Sequence, residues 1–151
     1  MSSKFVRDSI LDFLKTEVPQ ETIIDLTAQF EELEDLLEHN DITLNDDWIG
    51  VQFLGNEEIP VSIQSQNNKG CFREIGAIYL HIVAVSQLGG HKAILTRAEA
   101  LRDKFRGRRI NNTVIIEQVS PPNFGEGITL NFESGFTAAA ITIFYRRDLD
   151  L

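Results

Sequence analysis

Cysteine is almost absent from this chain. Cys71 stands alone among 151 residues, so no intramolecular disulfide forms and oxidation has no obvious part in stability. Proline is scarce too: Pro19, Pro60 and the Pro121-Pro122 pair mark the few places where regular structure must stop or lie at an edge. No apolar run approaches the length of a membrane span. Lys4, Arg7, Asp8 and Asp12 interrupt the first fifteen residues, which leaves no apolar core for a secretory signal. The expectation is a soluble protein, made and assembled in a cytoplasm, with no membrane partner. Basic side chains are in short supply, 14 Lys and Arg against 23 Asp and Glu. A net charge of −9 argues against free binding to nucleic acid, whose phosphates would repel it.

Recognisable reaction chemistry is also missing. Gly89-Gly90-His91-Lys92 stands before a helix, but the upstream glycine of a phosphate-binding loop is absent and Ala93 replaces its Ser or Thr. A plain strand-to-helix turn accounts for it. His39, His81 and His91 fall in three different elements, and no pair has a ligand spacing. Asp41, Asp46 and Asp47 lack the central Gly and closing Glu of a calcium loop. There is no G-x-S-x-G, and no base is evident beside Cys71. The expectation is no catalytic site, no metal and no cofactor.

What is present is hydrophobic mass and uneven charge. The chain is 42% hydrophobic, with ten Phe, and long enough to bury a core. Residues 1–58 hold 3 basic and 15 acidic side chains, whereas residues 59–151 hold 11 and 8. The basic excess gathers at Lys92, Arg97, Arg102, Lys104, Arg106, Arg108 and Arg109. Aromatic platforms are not interleaved with it, so a protein-facing role fits better than single-stranded nucleic acid. Solvated faces explain any one charge run. An acidic part of one subunit meeting the basic part of another explains the asymmetry as a whole.

The periodicity predicts a first helix over 3–17, with Val6, Ile10, Phe13 and Leu14 on one face and Ser2 or Ser3 as cap. Residues 22–26 fit either a short strand or the opening turn of the next helix. That second helix is expected from Thr27, with Phe30, Leu33, Leu36 and Leu37 inside and acids outside; residues 40–47 read as a loop. Strands are expected over 48–54 and 58–66, joined by a turn at Gly55-Asn56, and a polar turn leads to a long third strand over 71–85. Together they form an antiparallel meander. That third strand alternates two apolar sets and should be covered on both faces at its centre. The stripe Ile94, Ala98, Leu101, Phe105 then marks a helix ended by Gly107. Further strands are expected over 113–119, 128–132 and 136–146, with a loop at 121–127 and a polar, mobile tail over 147–151. The class is α+β: a mostly antiparallel sheet of about five to six strands packed with a central helix and N-terminal helices, in one domain spanning 1–151.

Arg73-Glu74-x-Gly76, a long apolar strand, a glycine turn and Ala98-Glu99-x-Leu101-x-x-x-Phe105 succeed one another here. A strand, a Gly-rich loop and a terminal strand ending at Tyr145-Arg146-Arg147 come after. This order resembles the tail terminator (tail completion) proteins of long-tailed bacteriophages, over roughly residues 48–147 with the first helix also fitting. The resemblance implies a non-enzymatic virion protein of the tail and neck. It implies a homo-oligomeric ring of six copies that caps the tail tube, ends its polymerisation and offers a surface to the head–tail connector. DNA would pass through the lumen without specific binding. Subunit or partner contacts are then expected at Arg73, Arg97, Arg102, Arg106, Arg108, Arg109 and Phe124, and at Glu31, Glu34, Asp46 and Asp47. The loops at 64–72 and 120–127 are candidate contact surfaces. A different neck component, such as a head-closure or connector subunit, and an unrelated small cytoplasmic binding module are the competing readings.

Overall fold

The computed structural model describes residues 3–26, 48–60, 71–85, 90–123 and 136–150. Helix α1 spans Lys4–Glu17. Ser3 caps it, its hydroxyl accepting the Val6 N–H at 3.4 Å, and at the far end the Val18 N–H reaches the Leu14 carbonyl before Pro19 stops the helix. Strand β1 is Ile23–Asp25, β2 is Trp48–Pro60 and β3 is Cys71–Val85. Helix α2 spans Gly90–Phe105, followed by β4 (Arg109–Ile110), β5 (Val114–Val119) and β6 (Phe136–Asp150). The expected helix from Thr27 and strand over 128–132 lie outside the described residues.

The six strands form one sheet in the order β1-β2-β3-β6-β5-β4. Only β1 with β2 is parallel; the other pairs are antiparallel. The fold is α+β. Register lines up apolar residues in rows across the centre: Ile49, Ile82 and Ala139; Val51, Leu80 and Ile141; Phe53, Ile78 and Ile143. All nine are buried, and both helices pack on that face. Val6, Ile10 and Leu14 come from α1, and Ile94, Ala98, Leu101 and Phe105 from α2. Phe13 meets Phe105 edge to face at 4.8 Å, which joins the two helices. Gly107 has φ 68° and ends α2 in the left-handed conformation that its position predicted.

Two expectations need correction. Residues 48–60 are not two strands parted by a turn at Gly55-Asn56, and residues 61–66 of the expected second strand lie outside the described residues. β2 runs straight through to Pro60, with a bulge between Phe53 and Asn56, because the fifteen-residue β3 offers it a partner along its whole length. Among the described residues β2 and β3 pair as neighbours, and β6 takes the other side of β3. Residues 147–150 are not a loose tail: they continue β6 against Cys71–Glu74. One strand had no counterpart among the expected elements: Arg109–Ile110, turned into β5 at Asn111 and Asn112, whose φ values of 51° and 64° suit asparagine better than most residues.

The second face of the sheet carries Gln52, Tyr79, His81, Ala140, Thr142 and Phe144, by the alternation of the same register. Val83 and His81 are buried there, but Ala77 and Tyr79 are only half-buried, so β3 is covered on both faces over part of its length. Gly50 is required on this side. A Cβ at that position would lie 2.6 Å from Leu26 Cδ1 and 2.9 Å from the Trp48 ring.

Candidate assembly surface

The two ends of the resembling pattern lie side by side. Glu74 pairs in register with Arg147, Gly76 with Tyr145, and Arg73 with Asp148. Glu74 and Tyr145 are fully buried, and the Tyr145 hydroxyl donates to Glu74 Oε2 at 2.9 Å. The Ser3 backbone N–H donates to the same oxygen at 3.2 Å. One carboxylate therefore ties the start of α1 to the middle of the sheet. Gly76 makes the room: a Cβ there would lie 2.5 Å from the Tyr145 hydroxyl. Arg147 stacks over the Phe5 ring at 3.9 Å. These motif residues hold the fold together.

The basic cluster divides into committed and exposed members. Arg97 is committed: it gives Glu21 two hydrogen bonds, at 2.8 and 3.3 Å, and a third to the Val83 carbonyl. Arg102 donates to the Val119 carbonyl, and Lys104 lies 3.5 Å from Glu17. The α2 face that the sequence left open to a neighbour is thus partly taken by carboxylates arriving from the end of α1. Arg106, Arg108 and Arg109 are exposed. Arg106 lies 3.8 Å from an equally exposed Asp103, a contact of little energy. Arg108 bonds the Lys104 carbonyl and stands over Phe13. Arg73 forms an exposed ion pair with Asp148 at 2.8 Å, and that hydrogen bond holds the Asp148 carboxyl below its ordinary range. Phe124, Glu31, Glu34, Asp46 and Asp47 lie outside the described residues.

Two acids that the sequence pattern did not single out are Glu57 and Glu58. Both are exposed on β2, beside Ile59, which is 38% exposed. Their signal was available as an acidic pair inside an otherwise apolar strand, but the expected turn at Gly55-Asn56 hid it. Phe144, 42% exposed, lies with Ile75 and Ala77 on the face of the sheet opposite α1 and α2, around an open depression of about 360 Å³.

His81 has a structural role. It is buried, and a neutral ring with its proton on Nε2 donates to Gln52 Oε1 at 3.2 Å. Burial lowers its pKa to about 4. Among the described residues there is no group of three or more His, Cys, Asp or Glu arranged to hold a metal ion, and no helix is long and apolar enough to cross a membrane.

No family model matches the chain, and no curated protein matches it. Solved structures do. One superposes on 97% of this chain and 96% of its own length, with a TM-score of 0.54 and 14% identity. At that identity the likeness concerns the fold, which is shared nearly end to end.

Proposed function

We propose that this chain is a tail terminator of a long-tailed bacteriophage, a structural protein of the virion with no enzymatic activity. It closes into a ring of six copies on the finished tail tube, stops further growth of the tube and presents a surface to the head–tail connector. The helices at the N-terminus and the central α2 form the layer behind the sheet. DNA passes through the lumen, and the acidic balance of the protein keeps it from sticking.

The supporting observation is the juxtaposition of Arg73-Glu74-x-Gly76 with Tyr145-Arg146-Arg147. The pattern that resembles the terminators spans most of the chain, yet its two ends are cross-strand neighbours with interlocking side chains. The exposed Glu57 and Glu58 on one strand, and Arg106 and Arg109 elsewhere, suit contacts between unlike surfaces of identical subunits.

The test is to withhold this protein from an assembling tail system and measure the tails. Overlong tails are the expected result. Tails of normal length that fail to join heads would assign the protein to the connector side of the neck, and normal joined tails would remove it from the particle.

A further inference from the structure

The two ends of the sheet carry charge of opposite sign. At one end, β1 covers only Ile49–Val51 of β2, and the Leu26 N–H takes the Val51 carbonyl. Among the described residues no strand pairs with the outer edge of β2 beyond the bulge, where Glu57, Glu58 and Ile59 are exposed. Neither acid meets a cation there among the described residues. At the other end the two-residue β4 is the outermost strand, and Arg109 on it is exposed with no partner among the described residues. Arg106 and Arg108 stand exposed just before it.

A strand edge is a template for another strand, since its outward backbone groups are unpaired. Charge decides which one. Pairing β2 with β2 of a second copy would set Glu57 and Glu58 against themselves, and pairing β4 with β4 would set arginine against arginine. Both two-fold arrangements are penalised. Pairing the β2 edge of one copy with the β4–β5 edge of the next sets acid against base. That contact joins unlike surfaces, so it repeats from copy to copy until the rotation closes. β4 is only two residues long, so the edge it offers is short. A short edge gives a weak single contact that gains from closure. Ile59 and the half-buried Ile115 lie on the same face of the sheet, at its opposite ends, so each copy would bring one apolar side chain to that face of the junction.

We propose that a second copy of this chain docks its β4–β5 edge, through Arg106, Arg108 and Arg109, on the Glu57–Ile59 edge of β2, so that the sheet runs on from subunit to subunit. This rests on the proposed ring and names the surface that closes it. Two variants of the full chain test it by sedimentation and negative-stain imaging, with circular dichroism confirming the fold: Glu57→Lys with Glu58→Lys, and Arg106→Glu with Arg109→Glu. Each alone should associate at least about 100-fold more weakly than the parent. A chain carrying all four changes should regain assembly. The two variants mixed should form rings in which they alternate, hence with an even number of subunits. Lys15→Glu, an exposed change elsewhere, should leave assembly as it was.

Folded variants that assemble like the parent overturn the proposal, as does a parent that is monomeric or a two-fold dimer. Tube capping, measured separately, keeps the two ideas apart. Rings that do not cap tubes sink the terminator reading alone, and monomeric variants that still cap tubes sink the edge contact alone.

Discussion

The hydroxyl of Tyr145 on β6 donates to Oε2 of Glu74 on β3 at 2.9 Å, inside the protein and directly beside a glycine. The same oxygen accepts the Ser3 N–H, so the bond joins two strands and the first helix. A buried carboxylate left short of donors is costly, whereas one with several is tolerable. Tyr145→Phe should therefore lower stability by about 1–3 kcal/mol in urea unfolding. Gly76→Ala should cost a similar amount by steric overlap. Adding Tyr145→Phe should relieve it only in part, because ring carbons would still lie 2.7 and 2.9 Å from the new Cβ. Additive losses in the double variant would show that the two residues do not share the space.

His81 makes stability depend on pH. Its pKa is about 4 in the fold, against 6.5 for an ordinary histidine. The unfolded chain therefore takes up a proton at a pH where the folded chain does not. This stability is fully present above pH 6.5 and is lost as the pH falls towards 4. The full loss is on the order of 3 kcal/mol. Denaturant midpoints across that window should fall in the parent and stay flatter in His81→Gln. Parallel profiles would place the titration elsewhere.

Two arginine–carboxylate pairs should behave differently. Arg97 and Glu21 are both mostly buried and share two hydrogen bonds, with a third from Arg97 to a carbonyl. Arg97→Ala should destabilise by about 2–4 kcal/mol, because it strands a shielded carboxylate. Arg73→Ala breaks an exposed pair and should cost under about 1 kcal/mol. If Arg73 also meets the tube or connector, that variant will fold normally and fail in tail joining. Unchanged joining would remove Arg73 from the proposed contact surface.

Phe105 and Phe144 offer a contrast within the aromatics. Phe105→Ala opens the contact between α1, α2 and the sheet, and should cost about 3–5 kcal/mol in thermal or denaturant unfolding. Phe144→Ala changes a half-exposed ring on the face opposite α1 and α2, and should cost about 1 kcal/mol or less. Equal losses would mean that Phe144 is covered more fully than its exposure indicates.

Much of this was legible from local pattern. The stripe Ile94, Ala98, Leu101, Phe105 is buried as its spacing required, and Gly107 ends the helix because only a residue tolerant of positive φ closes it well. The alternation of Ile78, Leu80 and Ile82 marked both the strand and its helix-facing side. These features depend on neighbours in sequence. The reading of Gly55-Asn56 as a turn failed because a bulge and a turn use the same residues, and the partner strand decides between them. The extension of β6 to Asp150 depended likewise on β3 reaching back to Cys71.

The asymmetry of charge, the α+β class and the central strand–helix unit were determined by the sequence alone, because composition and periodicity are local properties. The tertiary structure decided which charges are already paired. Arg97 looked as open as Arg109 in the sequence, yet Glu21, seventy-six residues away, folds back to bind it. Glu57 and Glu58 were expected just after a turn and lie instead along one continuous strand, at a stretch that β1 does not reach, which only the strand pairing shows. Partners that meet across long stretches of chain are set by packing, and packing leaves no mark in a local pattern.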